Sequence, residues 1–302
     1  MGEAKRRKLR AAEGQQGDVS LAIDGNWPLS NSDQQRELES WFTQRGIDPS
    51  KPRLQDTPEF LHAEAQDPAA MNQVARLVEA RSYSPEELKQ AEHKIQVASH
   101  AIAARVARDG RHGLCVVASG VLSRILDELG VWNYTAKSNL TIHFPRSVSL
   151  EPQYFYSFDE GNFTAPHAIV VAPPFAVVDV TVKYQPYDKV SMAQFLPHVA
   201  ATKEFRPYRV TTTELASPDV RAYLRHIGMT VETFLALERA DMLELMKQLP
   251  SREISLDGGR LGYGIVGVGG YQEQLRELLY ENNRIDGMLP IEIFEQDVLP
   301  NI

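Results

Sequence analysis

The sequence predicts an α+β protein, with helices before and after a mostly antiparallel sheet. Three observations carry that reading. Ser84-Pro85-Glu86-Glu87 opens a long apolar stripe at helical spacing. A second such stripe starts at Cys115. The stretch 131–182 is dense in β-branched and aromatic residues separated by short turns.

Residues 1–84 read as a polar helical lead-in with a flexible basic N-terminus, five Lys/Arg falling within Lys5–Arg10. A helix is expected from Ser32 to Gln44, ended by Gly46 and Pro49, and another over 68–81. Ser84 can cap the next helix, Pro85 suits its first position, and Glu87 completes a capping box. Leu88, Ile95, Ala98, Ile102 and Val106 then share one stripe, which stops at Gly110. After the turn at Arg111-His112-Gly113, a helix from Cys115 to Leu129 buries Ala118, Val121, Leu122, Ile125 and Leu126, with Gly130 just past its end.

Strands are expected at 131–135, 140–144, 154–158, 167–171 and 175–182. Farther on, helices are expected at 218–226, 230–248 and 271–282, a hairpin across 253–266, and an edge strand at 291–294. The chain divides into the lead-in 1–84, a core 85–190, and an α/β C-terminal region 191–302.

Cys115 is the only cysteine among 302 residues, which excludes an internal disulfide and a Cys-rich zinc site. The net charge of −8 argues against general nucleic-acid binding. No apolar run approaches the roughly 18 residues of a membrane span, and no apolar segment of a secretory signal follows the basic start. A cytoplasmic location is the expectation.

A lone thiol followed by a His and an Asp is a candidate nucleophile with a base and an orienting acid. Cys115 stands at a helix start, where free N–H groups and the macrodipole favour negative charge. His167 and Asp179 lie on the two arms of an expected hairpin. They share a face only if the intervening loop has an odd number of residues, so a three-residue loop of Ala172, Pro173 and Pro174, or a bulge of the same effect, is expected. His112 and His143 are rival bases. The Cys115 N–H is the natural first oxyanion donor, with Trp132, Asn133 and Asn139 as candidates for the second. Gly262-Tyr263-Gly264-Ile265-Val266-Gly267 matches a dinucleotide fingerprint in letters only. Its glycines fall inside an expected strand, which suits a close approach of another chain segment or a substrate. The scattered histidines show no metal-binding spacing.

A Cys heading a helix that ends Leu129-Gly130-Val131, a His opening a Val-rich strand, and a strand ending Val177-Val178-Asp179-Val180-Thr181 together resemble the transglutaminase-like branch of the papain-like cysteine enzymes, which includes the arylamine N-acetyltransferases. The resemblance covers roughly residues 105–185. It implies a papain-like, transglutaminase-type core, in which the Cys helix packs on an antiparallel sheet between helical flanks. It also implies acyl chemistry through a thioester on Cys115, with His167 as base and acid and Asp179 orienting it. Peptide, isopeptide or amide hydrolysis is the expected activity; acyl transfer and a catalytically silent binding module are the alternatives. Substrates would be a peptide, a protein or a small acyl or amine compound. No cofactor is expected, and the flanks are candidate surfaces for a partner protein.

Overall fold

The computed structural model describes residues 27–159 and 167–302, so the basic segment Lys5–Arg10 lies outside the described residues. Among the described residues five α-helices precede the first strand, of which the first four are α1 (Ser32–Thr43), α2 (Pro58–Gln66), α3 (Ala70–Ala80) and α4 (Pro85–Asp109). Asn31 caps α1 by accepting from the N–H groups of Asp33 and Gln34. The capping box of Ser84 and Glu87 forms at the start of α4, and Gly110 ends that helix in the left-handed region at φ 73°. The short helix α2, which sequence reading did not expect, is capped by Thr57 and buries only Phe60 and Ala63. Two buried positions in nine residues leave too little periodicity to read.

Helix α5 runs Cys115–Glu128. Past its end, Val131 N–H reaches back to the Leu126 carbonyl while Gly130 takes φ 69°. That closure holds Val131 outside any strand. The expected strands at 131–135 and 140–144 are therefore one strand, β1 (Tyr134–His143). Its middle, Ser138-Asn139, is polar yet buried, which hides the continuity from an apolar pattern.

The remaining strands are β2 (Gln153–Phe155), β3 (His167–Ala172), β4 (Phe175–Asp179), β5 (Ala200–Thr202), β6 (Arg206–Pro207), β7 (Arg252–Leu256) and β8 (Gly259–Gly269). They form one antiparallel sheet in the order β5-β4-β3-β1-β8-β7-β6, with β2 also paired to β1. β7 and β8 join through Asp257 and Gly258, both at positive φ, as a two-residue hairpin turn.

Helices α6 (Thr212–Leu215), α7 (Pro218–His226), α8 (Val231–Glu238) and α9 (Ala240–Gln248) lie between β6 and β7. The single helix expected over 230–248 breaks at Arg239, where φ is −141°. The break turns α9 so that Leu245 and Leu249 join the main core while Met242 stays with Leu235. The helix expected over 271–282 is replaced by 3₁₀ turns at Leu275–Glu277 and Glu281–Asn283. Leu275 and Leu278 point inward there, whereas Leu279 and Tyr280 are exposed, so no continuous helical stripe is buried. The edge strand expected at 291–294 is instead α10 (Pro290–Ile293), continued by a π turn. Its Leu289 N–H bonds the Glu292 side chain, and Ile293 and Val298 are buried against α4 and α5.

Side chains alternate across β1. Tyr134, Ala136, Leu140 and Ile142 face a core built with α1, α3 and α9. On the other side of the sheet, α4 and α5 pack on Val170, Ala172 and Val178. A third cluster joins Phe158 to α6 through α9.

Arg252 is among the largest fully buried side chains. Its guanidinium bonds the Glu79 carboxylate and the Ala176 carbonyl. The same Glu79 oxygen accepts from Tyr134 OH at 2.5 Å, and the Glu79 carbonyl accepts from the Trp27 indole at 2.8 Å. One charge pair thus fastens α3 to β1, β4 and β7. Arg252→Met leaves Glu79 charged and uncompensated in the core and should cost about 3–5 kcal/mol. Urea unfolding checks this, and adding Glu79→Gln should recover much of the loss.

Candidate functional site

Cys115 occupies the first position of α5, after a turn in which Gly110 and Gly113 both take positive φ. No side chain caps this helix. Its first backbone bond runs from Ala118 N–H to the Leu114 carbonyl, so the Cys115 N–H belongs to the unpaired first turn. The thiol turns inward, 4 % exposed, while Val116 beside it is 49 % exposed. One turn later, Ser119 Oγ donates to the Ala168 carbonyl at 2.9 Å. That bond docks the start of α5 on the start of β3.

His167 opens β3 and is fully buried. Its Nε2 donates to Asp179 Oδ2 at 2.6 Å. Asp179 Oδ2 also accepts from Tyr263 OH at 3.1 Å, and Oδ1 accepts from the Thr181 N–H at 2.9 Å and its hydroxyl at 3.2 Å. Both carboxylate oxygens are therefore satisfied by protein donors at a position closed to bulk solvent. His167 Nδ1 makes no hydrogen bond among the described residues. α5 lies on the opposite face of β3, and the two elements meet where His167 opens the strand and Cys115 opens the helix.

The electrostatics follow from this arrangement. Burial alone pulls the imidazole pKa down, but the charge and hydrogen bond of Asp179, aided by contact with Cys115, more than reverse it and push it up to about 10. Burial likewise disfavours ionised Asp179, and the charge and hydrogen bond of His167, together with Thr181 and Tyr263, hold its pKa below the usual carboxylate value. The pair is imidazolium and carboxylate at neutral pH.

The hairpin reaches this geometry by a bulge, the second of the two expected routes, and not by a three-residue loop. Ala172 pairs with Phe175, so the loop is only Pro173-Pro174. Such a register alone would put His167 and Asp179 on opposite faces. Farther along, however, Val170 pairs with Val178, leaving Ala176 and Val177 opposite the single residue Val171. This β-bulge restores the parity. His167 and Asp179 end as diagonal neighbours on one face, close enough for their side chains to meet.

The other sequence candidates are dispersed. His112 lies on the exterior of the turn before α5, its Nδ1 3.4 Å from the Tyr184 carbonyl. His143 is at the far end of β1, five residues beyond Ser138, which pairs with His167. That separation is about 16 Å. Trp132 and Asn133 follow the C-terminal end of α5, roughly 20 Å along the helix from Cys115. There Arg81 stacks over the Trp132 ring, and the Asn133 amide bonds Asp127, Ser123 and the Val131 carbonyl. Asn139 points to the α5 face of the sheet. Its Nδ2 donates to the Glu214 carbonyl at 3.4 Å, and its buried Oδ1 has no partner among the described residues.

Sequence reading missed Tyr263 and Thr181. Thr181 follows Asp179 by two residues, the spacing of a local side-chain-to-backbone turn. Tyr263 is the one bulky residue between Gly262 and Gly264, and only pairing of β8 beside β1 brings it to Asp179. The glycine run has a packing explanation. A Cβ on Gly262 would lie 2.6 Å from the Tyr208 ring, and one on Gly264 would lie 2.1 Å from Asn139 Oδ1. Side chains of this chain fill the space above those two glycines. Among the described residues, no group of three or more His, Cys, Asp and Glu is arranged to hold a metal ion.

Comparisons with protein-family models, with curated proteins and with solved structures give no match to this chain.

The His167–Asp179 pair sets a pH dependence. A raised imidazole pKa gives stability that is complete below pH 6.5 and lost as pH rises through about 10. The stability gap between the protein and Asp179→Asn should therefore narrow from pH 6.5 to pH 10. Urea unfolding at both pH values measures it. In NMR at pH 8 the His167 ring should titrate as imidazolium in the parent and as neutral imidazole in Asp179→Asn.

Proposed function

We propose that this chain is a cysteine-dependent hydrolase of peptide, isopeptide or amide bonds, with Cys115 as nucleophile, His167 as general base and acid, and Asp179 as the orienting residue. One observation carries the reading: Asp179 holds one nitrogen of a buried imidazole at 2.6 Å, and the other nitrogen, free of hydrogen bonds among the described residues, is left to the thiol at a helix N-terminus. The arrangement accords with the transglutaminase-type core implied by the sequence resemblance, a Cys-headed helix lying on an antiparallel sheet that carries His and Asp on adjacent strands.

The chemistry follows from those positions. The thiolate of Cys115 attacks the substrate carbonyl, and negative charge develops on its oxygen. The uncapped N–H of Cys115 is positioned to stabilise that charge. The His167 imidazolium, donating through Nδ1, protonates the departing amine as the C–N bond breaks and a thioester forms on Cys115. The neutral imidazole then takes a proton from water, the water oxygen attacks the thioester, and the acid is released with the thiol restored. Asp179 stays ionised throughout and keeps the Nδ1 edge of the ring toward the sulfur.

Burial of all three groups favours a second outcome for the same thioester. Where water is scarce an amine can take its place, making the reaction acyl transfer, as in transglutamination or N-acetylation. A silent binding module on the same fold would retain the geometry without turnover. The flanking helices are candidate surfaces for a partner protein, and a cytoplasmic setting accords with the free thiol. Among the described residues no helix is long and apolar enough to cross a membrane.

Iodoacetamide should alkylate Cys115 at pH 6 well above the free-thiol rate, and His167→Ala should reduce the rate at least about tenfold. Alkylation at the free-thiol rate in the parent protein would falsify an activated nucleophile. With 4-nitrophenyl acetate, intact mass should show an acetyl group on Cys115. Its loss to water or to an added amine separates hydrolase from transferase.

A further inference from the structure

Tyr263 has no part in the chemistry above, yet the fold delivers its hydroxyl to the orienting residue. It lies in β8 opposite Leu140 of β1, and both side chains belong to the main core. Ile169, two residues after His167 in β3, joins the same core, so Tyr263 and His167 project from one face of the sheet. Their ring centroids lie 6.1 Å apart. Tyr263 OH donates to Asp179 Oδ2 at 3.1 Å, the same oxygen that accepts from His167 Nε2 at 2.6 Å. Tyr263 is fully buried, and its neighbours Gly262 and Gly264 leave their space to Tyr208 and Asn139.

Two donors on one oxygen compete. An ionised carboxylate only accepts, and a hydrogen bond from a phenol draws electron density from the oxygen that holds the imidazolium. Burial and the charge of Asp179 push the Tyr263 phenol well above its ordinary pKa, so it stays protonated and keeps donating. Against the effect of burial, Tyr263 joins His167 and Thr181 in holding Asp179 below the usual carboxylate value. The other groups near Asp179 are engaged elsewhere. Thr181 bonds Oδ1, and Tyr187 donates to the Val182 carbonyl. Arg252 meets β4 at the Ala176 carbonyl and is paired with Glu79. Cys115 acts on the far side of the pair, through the His167 ring. Among the described residues Tyr263 is therefore the donor that shares an oxygen with the imidazolium. A carboxylate without that competitor would hold the ring proton more tightly. The ring would then be a poorer acid toward a departing amine, and less neutral imidazole would be present to activate water.

We propose that Tyr263 is a positioning residue for the reaction on Cys115: by sharing Asp179 Oδ2 it limits the hold of the carboxylate on the His167 ring proton, and so sets the rate at which the thioester is resolved. This rests on the nucleophile reading given above. In that step neutral His167 takes a proton from water at Nδ1. The water oxygen bonds the acyl carbon, and the C–S bond breaks to return the thiolate. Tyr263 acts on this step through Asp179 alone.

Deacylation across pH tests this on the whole protein. With 4-nitrophenyl acetate the thiolate forms the S–C bond, the C–O bond breaks, and 4-nitrophenolate leaves without needing a proton. Loss of the acetyl group from Cys115 to water, followed by intact mass, should rise with pH to a plateau whose midpoint reports the His167 ring. Tyr263→Phe keeps the aromatic ring and removes the donor. It should raise the midpoint and slow acetyl loss at pH 7 about three- to tenfold, the size of up to one pKa unit at the ring. Tyr263→3-fluorotyrosine, a stronger donor of nearly the same shape, should lower the midpoint. In proton NMR the Nε2–H resonance should move downfield in Tyr263→Phe, because its acceptor no longer has a competitor. Circular dichroism establishes that each variant is folded. A purely structural role would lower the plateau and leave the midpoint in place. An unmoved midpoint in either folded variant overturns the role of Tyr263, while rapid iodoacetamide labelling of Cys115 leaves the nucleophile standing. A parent thioester that water never resolves overturns that role as well. Labelling of the parent at the free-thiol rate overturns both.

Discussion

The hydrogen bond from His167 to Asp179 joins two adjacent strands inside the molecule, and it exists because β4 carries one residue more than β3 in their pairing. With a two-proline loop, regular pairing would send one of these side chains into the α4–α5 core and the other to the opposite face. An unpaired carboxylate buried in either place would be costly enough to shift its protonation. The bulge at Ala176-Val177 removes that conflict, and the remaining features of the site follow from it. Asp179 gains Thr181 and Tyr263 as further donors, the ring is held by Nε2, and Nδ1 remains for Cys115.

The two ends of α5 are treated differently. Its C-terminal half is tied down by a buried network. Arg124 bonds Asp56, Asp127 and the carbonyls of Tyr271 and Gln272, and Asn133 adds its amide to Asp127. Burial is the main reason that the Asp127 pKa is pushed up to about 7, against the pull of Arg124 and Asn133. The N-terminal end has no side-chain cap. A helix anchored at one end can keep the N–H groups of the other free without fraying. The ion pairs of Arg105 with Asp286 and Asp297, and of Arg111 with Asp109, brace the turn that leads into Cys115.

Local signals read well from the chain. The capping box at Ser84, the glycine stop at Gly110 and the stripe from Ala118 to Leu126 each depend on residues within a few positions of one another. Where long-range packing decides, the local pattern misleads. Ser138 and Asn139 look like a break between two strands, but β3 and β8 bury them within one. Ile291 to Phe294 look like an edge strand, but Pro290 and the contacts of Ile293 and Val298 make a helical end of them.

The site divides along the same line. The sequence alone determined which groups have chemistry to offer: one thiol at a helix start, a histidine opening a strand, and an aspartate closing the next. Their spacing could state the parity condition but not meet it, because the extra residue in β4 is set by pairing with β3 on one side and β5 on the other. Tertiary structure also decided that Trp132 and Asn133 stand at the wrong end of α5, and that Tyr263 reaches Asp179 from a strand 84 residues away. It set Tyr208 over Gly262 and Asn139 over Gly264, glycines that a linear motif would have assigned to a nucleotide. The physical reason is range. Capping and periodicity act within a turn or two of chain, whereas hydrogen bonds between strands bring together residues whose separation in sequence carries no trace of the contact.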